Sequence, residues 1–467
     1  MAIFKKYPNT WLGFKYLTVF CMFLAVCIQR VDPDFGWHLQ AGRYISSHGI
    51  PTHDLYSYTA SSFKWIDHEW AYDVLVATIF KLSYAKFFMA GIFASIWTLV
   101  IYLAVGQKSR ASTLIVTTLA ILPYAGVRPT IFTILFFLLL VKIASYKSWR
   151  TRLLIPLLFV IWANMHGGLI AGLAIMIYFA YRDLDFRWLG VILLSFLATL
   201  LNPYGINLYT EIVRTIFDSA VHAQIMEWAS FKIYTPSLLY VALWLVLYVH
   251  GEYKTIVRFF KHPLTGTSRL SDNQMLGPIM LGLAMSATRN MPLFVVVTAK
   301  NIDDYLDKIK ISLPNRYPKV NALLVSMLFL LLLSWFAVSF EQTFVTYVRD
   351  SGLVYPAEQV DMLKKIGCPG NIFNDYNYGG YLVWKLPEHK VYIDGRMPVW
   401  RDEMGKRYMD RYYDVLTDRK YQQAEFNRYN IKCAVLGNGN QQLIRYLRDD
   451  DRWKVRSITS SSILLVE

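Results

Sequence analysis

The apolar residues of this chain come in blocks, and that constrains its fold more than any other feature. Trp11–Ile28, Phe87–Val105, Ile131–Ala144, Trp188–Leu201, Leu238–His250 and Val320–Phe340 are almost free of charge. Such blocks approach the roughly 17–25 residues that carry a helix across a bilayer. The whole chain is 55% hydrophobic and 17% charged, where a soluble chain carries about 25% charged residues. The sequence therefore predicts an α-helical polytopic membrane protein.

Lys5 and Lys6 precede the first block, as in a signal peptide, but the block is long and no small-residue cleavage site follows. We read it as a retained first helix with a cytoplasmic N-terminus. The net charge of +15 fits the positive-inside rule rather than a nucleic-acid partner. Its basic clusters fall in short connectors: Lys147, Arg150 and Arg152; Lys254, Arg258, Lys261 and Arg269; Lys308, Lys310, Arg316 and Lys319. With these inside, the loops 31–70 and 202–230 and the turn 124–129 lie outside. The run Val320–Phe340 then delivers the tail to the outer face. Ala71–Tyr84 is ambiguous, because Lys108 and Arg110 further on also favour the inside; it is either a span or an interfacial helix. The helix count is about ten to twelve.

These patterns divide the chain into a transmembrane domain over 1–341 and a C-terminal extracytoplasmic α/β domain over 342–467. In the tail, Asn371–Phe373, Tyr381–Trp384, Val391–Ile393, Cys433–Leu436 and Ile463–Val466 read as strands. Ala357–Ile366, Tyr421–Tyr429 and Gln441–Leu447 read as helices. Cys368 and Cys433 lie in this tail, where an oxidising compartment permits a disulfide without requiring one.

Ionisable groups at a membrane boundary are costly to keep there, which makes them functional candidates. The densest set follows the first block: Asp32-Pro33-Asp34-Phe35-Gly36-Trp37-His38, closing on Asp67-His68-Glu69-Trp70. Asp32, Asp34 and Glu69 are candidate catalytic acids or bases. Asp34 could instead cap a helix, and Glu69 could simply suit a helix dipole. Asn164 and His166, beside Gly167-Gly168, suggest a broken helix lining a cavity, or a packed histidine. Arg128 and Arg289 can fork onto phosphate oxygens, although Arg289 could equally form a buried ion pair. With His38, these four make up the candidate donor-binding set. Asp375, Tyr376, Tyr378, Asp394 and Arg396 in the tail are candidate acceptor-binding residues, or turn formers. Asn202-Pro203-Tyr204-Gly205 and Glu227-Trp228 mark a further outer loop. No phosphate-binding glycine loop, dinucleotide fingerprint or zinc spacing is present.

Asp32-Pro33-Asp34 after the first helix, the polar loop ending at Glu69-Trp70 and an external α/β tail resemble the type C (GT-C) membrane glycosyltransferases. These include protein mannosyltransferases and oligosaccharyltransferase catalytic subunits. Asp34–His38, Trp162–Gly168, Asn202–Gly205, Glu227-Trp228 and Asp394-Gly395-Arg396 resemble more closely a bacterial polytopic membrane family of largely unassigned function. The resemblance implies a multi-pass protein of the bacterial inner membrane. It also implies inverting transfer from a polyprenyl-phosphate-linked sugar to an extracytoplasmic glycan, lipid or protein acceptor. Asp32 or Asp34 would then be base or metal-site residue, with a divalent metal, Mg or Mn, as the possible cofactor. A second acidic motif is expected in a following outer loop, but Tyr124–Pro129 carries no carboxylate. Asp375-Tyr376-Asn377-Tyr378-Gly379 is loosely similar to the Trp-Trp-Asp-Tyr-Gly acceptor motif and lacks both tryptophans.

The leading expectation is a lipid-linked glycosyltransferase. The alternative is a non-catalytic membrane scaffold or polysaccharide-export partner, which the missing acidic motif favours. A transporter would be expected to show inverted repeats, and none is evident.

Overall fold

A computed structural model describes residues 8–29, 32–107, 109–146, 148–232, 238–261, 272–309 and 355–467. Several sequence expectations fall outside these residues: the span Val320–Phe340, Lys5 and Lys6, Lys108, Lys147, Arg269, Lys310, Arg316 and Lys319, and the boundary at 341. The chain forms two compact units. One comprises Met1–Arg30, Lys86–Leu201 and Ser219–Glu341; the other comprises Val31–Ala85, Asn202–Asp218 and Gln342–Glu467.

The first unit is helical. Its main helices are Pro8–Gln29, Ala85–Val105, Ala111–Ile121, Thr130–Ser145, Leu154–Met165, Leu169–Asp183, Arg187–Thr199, Leu239–Lys261, Asp272–Ser286 and Met291–Ile309. Trp97, Trp162, Trp188, Trp244, Phe93 and Phe137 are fully buried among them. By length and composition, one described helix can cross a membrane: Ala85–Val105, with mean hydropathy 2.1. At about 1.5 Å per residue it reaches about 30 Å, the thickness of a bilayer core. The helix Arg187–Thr199 inverts the arrangement of a water-facing helix. Ser195 and Thr199 are buried, while Leu189, Leu193, Leu194 and Leu197 are exposed. The i, i+4, i+5, i+8 spacing puts these leucines on one face.

The second unit carries a four-stranded sheet in the order β1-β2-β4-β3, with β1 Asn371–Asn374, β2 Ile431–Gly437, β3 Lys454–Ile458 and β4 Ser462–Val466. β1 and β2 are parallel, and the other pairs are antiparallel. Cys368 and Cys433 are joined as a disulfide, which ties the approach to β1 to strand β2. The helices Ala357–Ile366, Arg419–Arg428 and Gln441–Arg448 lie where the periodicity puts them.

Two tail expectations need correction. Tyr381–Trp384 belongs to the helix Gly379–Lys385, not to a strand. A short apolar run cannot distinguish a buried strand from a buried helical turn, and here paired glycines let the turn pack on the helix Phe35–His48. Val391–Ile393 makes one parallel bridge, Val391 to Ser57, in place of a strand. Its backbone partners are Tyr56 and Tyr58, because the 54–63 loop takes its hydrogen bonds. Two elements were not anticipated: the helix Tyr408–Thr417 and strand β3. β3 is largely exposed and polar, so no apolar alternation marks it.

The ambiguous stretch Ala71–Tyr84 resolves as the helix Trp70–Ile79 within the second unit. Ten residues rise about 15 Å, half a bilayer core, so it is not a span. Gly42 lets it pack closely on Phe35–His48: a Cβ there would lie 1.9 Å from the Asp73 carbonyl oxygen.

Candidate functional site

Three separate sequence motifs meet in the second unit. The Asp32 carboxylate accepts the Asp34 N–H at 3.0 Å, and the Asp32 carbonyl accepts the Phe35 N–H at 2.9 Å. This Asx-type turn starts the helix Phe35–His48, with Asp34 in the N-cap position. The Asp34 side chain makes no cap hydrogen bond. It packs on Gly395 instead, so closely that a Cβ at 395 would fall 1.8 Å from Asp34 Oδ1. One turn on, a Cβ on Gly36 would fall 1.8 Å from the Gly380 carbonyl oxygen. Only glycine at these positions lets the Asp34–His38, Tyr378–Tyr381 and Asp394–Arg396 segments pack backbone to backbone.

Behind Asp34 lies a buried ionisable cluster. His38 is 1% exposed, and its Nδ1 lies 2.6 Å from Asp73 Oδ1; its Nε2 lies 3.6 Å from Glu69 Oε2. Asp73 and Asp67 are both buried, and one carboxylate oxygen of each, Oδ2, has no hydrogen-bond partner among the described residues. Burial raises the Asp73 carboxyl well above its ordinary range, reinforced by the neighbouring charges of Asp67 and Glu69. Burial likewise pushes Asp67 up to about 6, against the Glu69 backbone N–H that its Oδ1 accepts and the charge of Arg396. Burial, with His68 and Arg396 nearby, holds the His38 imidazole well below its usual value, so it is neutral.

Arg396 supplies the buried positive charge. It clasps Asp394 through Nε (2.9 Å) and Nη2 (2.6 Å), and its Nη1 lies 2.7 Å from Asp54 Oδ1. The rings of Trp37, Tyr56, Trp65 and Trp400 surround the guanidinium, with centroids 4.7–5.9 Å away. Asp54 also accepts from the Tyr56 and Ser57 backbones. One arginine cannot balance Asp54, Asp67, Glu69, Asp73 and Asp394 in a dry interior, and the raised carboxyls are Asp67 and Asp73.

That imbalance has a measurable consequence. The native state keeps the Asp67 proton up to about pH 6, whereas an unfolded aspartate releases it near about 3.9. The native state therefore binds more protons within this window, and the contribution of Asp67 to stability falls as pH rises through it. Asp67→Asn should stabilise the protein relative to wild type by about 2–3 kcal/mol at pH 7 and by little at pH 4. Thermal unfolding of the detergent-solubilised chain at both pH values checks this; a difference independent of pH would contradict it.

The His38 group does not fit a divalent cation. Its imidazole nitrogens already face Asp73 and Glu69. Among the described residues, no group of three or more His, Cys, Asp or Glu side chains is arranged to hold a metal.

The tail candidates stand at the sheet. Asp375, just after β1, accepts from the Asn377 N–H and from Asn440 Nδ2. The Tyr376 N–H donates to the Tyr412 hydroxyl, and the Tyr378 hydroxyl donates to the Ser461 carbonyl. Asp394 is wholly buried against Arg396.

In the first unit, Arg128 Nη1 donates to Glu227 Oε1 at 2.5 Å. Arg289 lies over the Trp228 ring, 4.2 Å from its centroid, and its backbone N–H donates to the Glu227 carbonyl. Desolvation pushes the Glu227 carboxyl up, yet Arg128 and then Arg289 hold it below its ordinary value. The two arginines thus bracket one Glu-Trp pair. His166 lies at the break between Leu154–Met165 and Leu169–Asp183. The Trp162 indole N–H donates to Thr133 Oγ1 (2.9 Å), and Thr133 lies 2.7 Å from His166 Nδ1. Gly168 N–H also reaches Nδ1 at 3.1 Å. That nitrogen is therefore assigned as the acceptor, with the proton on Nε2. Asn164 donates to the Val160 and Leu201 carbonyls, closing two helix ends together.

Sequence reasoning missed Asp54, Asp67 and Asp73 as members of the cluster, and gave Glu227 no role. Asp73 had a signal: an acid inside the otherwise apolar run Trp70–Ile79 needs a buried partner.

No protein-family model matches the chain, and no curated protein matches it. Among solved structures it is similar to the oligosaccharyltransferase AglB of Archaeoglobus fulgidus in complex with an inhibitory peptide and a dolichol-phosphate. That likeness has a TM-score of 0.54 at 11% identity and covers 96% of this chain and 72% of that one. The apo form of the A. fulgidus enzyme gives 0.55 at 10% identity, over 90% and 69%. Its complex with Zn and sulfate gives 0.52 at 12% identity, over 91% and 67%. At such identity the likeness is one of fold: a mostly helical chain with a small C-terminal sheet.

Proposed function

We propose that this chain is a membrane glycosyltransferase that moves a sugar from a polyprenyl-phosphate-linked donor to an extracytoplasmic glycan, lipid or protein. The observation that carries this reading is the likeness to an oligosaccharyltransferase over nearly the whole chain. The outward leucine face of Arg187–Thr199 supports a multi-pass membrane setting. The Cys368–Cys433 disulfide supports an oxidising compartment for the tail, the periplasm of a bacterial inner-membrane protein with a cytoplasmic N-terminus. The dolichol-phosphate bound to the archaeal enzyme, and the acceptor peptide tethered to it in another structure, support a lipid-linked donor and an outer acceptor.

In this reading Asp34 takes the proton of the acceptor hydroxyl as its oxygen attacks the anomeric carbon. The bond from that carbon to the phosphate oxygen breaks, with inversion, and polyprenyl phosphate departs. Within the first unit, Arg128 and Arg289 are the candidate contacts for an anionic donor group, since each already engages the Glu227-Trp228 pair. Asp32 holds the Asp34 backbone. No step is routed through a divalent cation.

The test is transfer of radiolabelled sugar from polyprenyl-phosphate donors to envelope acceptors by the solubilised chain. A charge-assisted hydrogen bond contributes about 1.5–3 kcal/mol. Arg128→Gln and Arg289→Gln should therefore each raise KM for the donor roughly ten- to hundredfold, with a smaller change in kcat. The carboxylate-free Tyr124–Pro129 turn favours a second reading, a scaffold or polysaccharide-export partner. Absence of transfer from every prenyl-linked sugar, with the assembly of an envelope glycan lost in a deletion strain, would select it.

A further inference from the structure

The second unit contains a cleft of 310 Å³ away from the buried cluster's charged atoms. Such a volume is at the small end of the roughly 300–1,000 Å³ range of ligand pockets. One wall is a face of the helix Phe35–His48, where Gln40, Arg43, Tyr44, Ser47 and His48 recur at helical spacing. The opposite wall includes His389 and Lys390, just after the helix Gly379–Lys385. None of the lining residues is acidic. Among the described residues, neither Arg43 nor Lys390 has a carboxylate within ion-pair distance. The helix C-terminus contributes about half a negative charge, less than these two permanent cations supply. Arg43 and Lys390 are thus the permanent charges among the lining residues.

It also has a flat aromatic wall. The Tyr44 and His48 rings stack at 4.6 Å with 13° between their planes, and Ser47 Oγ lies 2.8 Å from His48 Nδ1. Stacking covers one face of each ring and leaves the outer one clear of its partner, and an aromatic face suits the C–H face of a pyranose. Arg43 and Lys390 suit an acidic substituent, and Gln40 and Ser47 suit hydroxyls. We propose that this cleft binds an anionic saccharide, a uronic acid or phosphorylated sugar, presented by a one- or two-ring segment of glycan. The choice of a saccharide over other anions rests on the sugar-transfer reading; the basic and aromatic walls do not.

The test is calorimetric binding of a hyaluronan tetrasaccharide, with chitotetraose as the neutral control, to the full-length solubilised chain without donor. The acidic sugar should bind at least tenfold more tightly than the neutral one. Arg43→Gln with Lys390→Gln should weaken it at least tenfold, with the thermal midpoint unchanged. Tyr44→Ala should weaken the sugar without altering binding of inorganic phosphate; His48→Ala, at an exposed position, serves if the Tyr44 variant does not fold. Equal binding of the two tetrasaccharides, wild-type affinity in the double variant, or full competition by phosphate with both ring variants neutral would overturn the assignment. Binding that persists where no transfer from prenyl-linked donors is found would support this site and count against the transferase reading alone.

Discussion

Replacing Arg396 by methionine is expected to destabilise the sheet-bearing unit by a large part of its total stability. The guanidinium is buried, is clasped by Asp394 and lies beside Asp54. Methionine keeps much of the side-chain volume within the ring of Trp37, Tyr56, Trp65 and Trp400, so little packing is lost. Electrostatics dominates the damage. Two carboxylates would remain in a dry interior already crowded with Asp67, Glu69 and Asp73, and breaking a buried pair from one side costs about 3–5 kcal/mol. Total stabilities run about 5–15 kcal/mol, so the loss is a large part of the whole. Adding Asp394→Asn should rescue the variant in part, because it removes one of the stranded charges. Arg396→Lys should fall between, since an ammonium keeps the charge but not the two-pronged grip on Asp394. Thermal denaturation and protease sensitivity of the purified chain measure all three outcomes. A wild-type midpoint for Arg396→Met would mean that the charges are solvated in solution.

The second large effect is on activity. Asp34→Asn should lower the rate of sugar transfer about 10²–10⁴-fold, the range for removing a positioned general base, while the thermal midpoint stays near wild type. Asparagine keeps the shape that packs on Gly395 and the backbone that Asp32 holds, so only proton acceptance is lost. Gly395→Ala provides the complement. Its methyl would fall 1.8 Å from Asp34 Oδ1, so it must move the carboxylate or the chain, and it should reduce both activity and stability. Full transfer by Asp34→Asn would remove this residue from the reaction.

These two residues also show how much of the molecule could be read in advance. Apolar length located the helices Ala85–Val105 and Thr130–Ser145 because long blocks carry their own signal. Short apolar-rich runs located β1, β2 and β4, while the exposed β3 offered none. The short run Tyr381–Trp384 was misread because its fate depends on Gly380 meeting the chain near Pro33 and Gly36, a contact far apart in sequence. Asp34, His38, Glu69, Asp394 and Arg396 stood out as polar residues in conspicuous motifs. That His38 would face Asp73, and Arg396 would join Asp54, is a matter of tertiary pairing. The pairing of Arg128 with Glu227 was hidden for the same reason, since 99 residues separate them.

The sheet-bearing unit is drawn from three stretches of chain, Val31–Ala85, Asn202–Asp218 and Gln342–Glu467. Its opening stretch leaves the ribosome long before the strands that complete it. At about 5–20 residues per second, Trp37, His38 and their acidic neighbours wait on the order of ten seconds or more for Arg396 to emerge. During biogenesis, then, this most polar part of the protein is an orphan, exposed to chaperones and proteases until the last quarter of the polypeptide arrives. Chains cut short anywhere upstream of Arg396 should be cleared by quality control rather than accumulate as partial products.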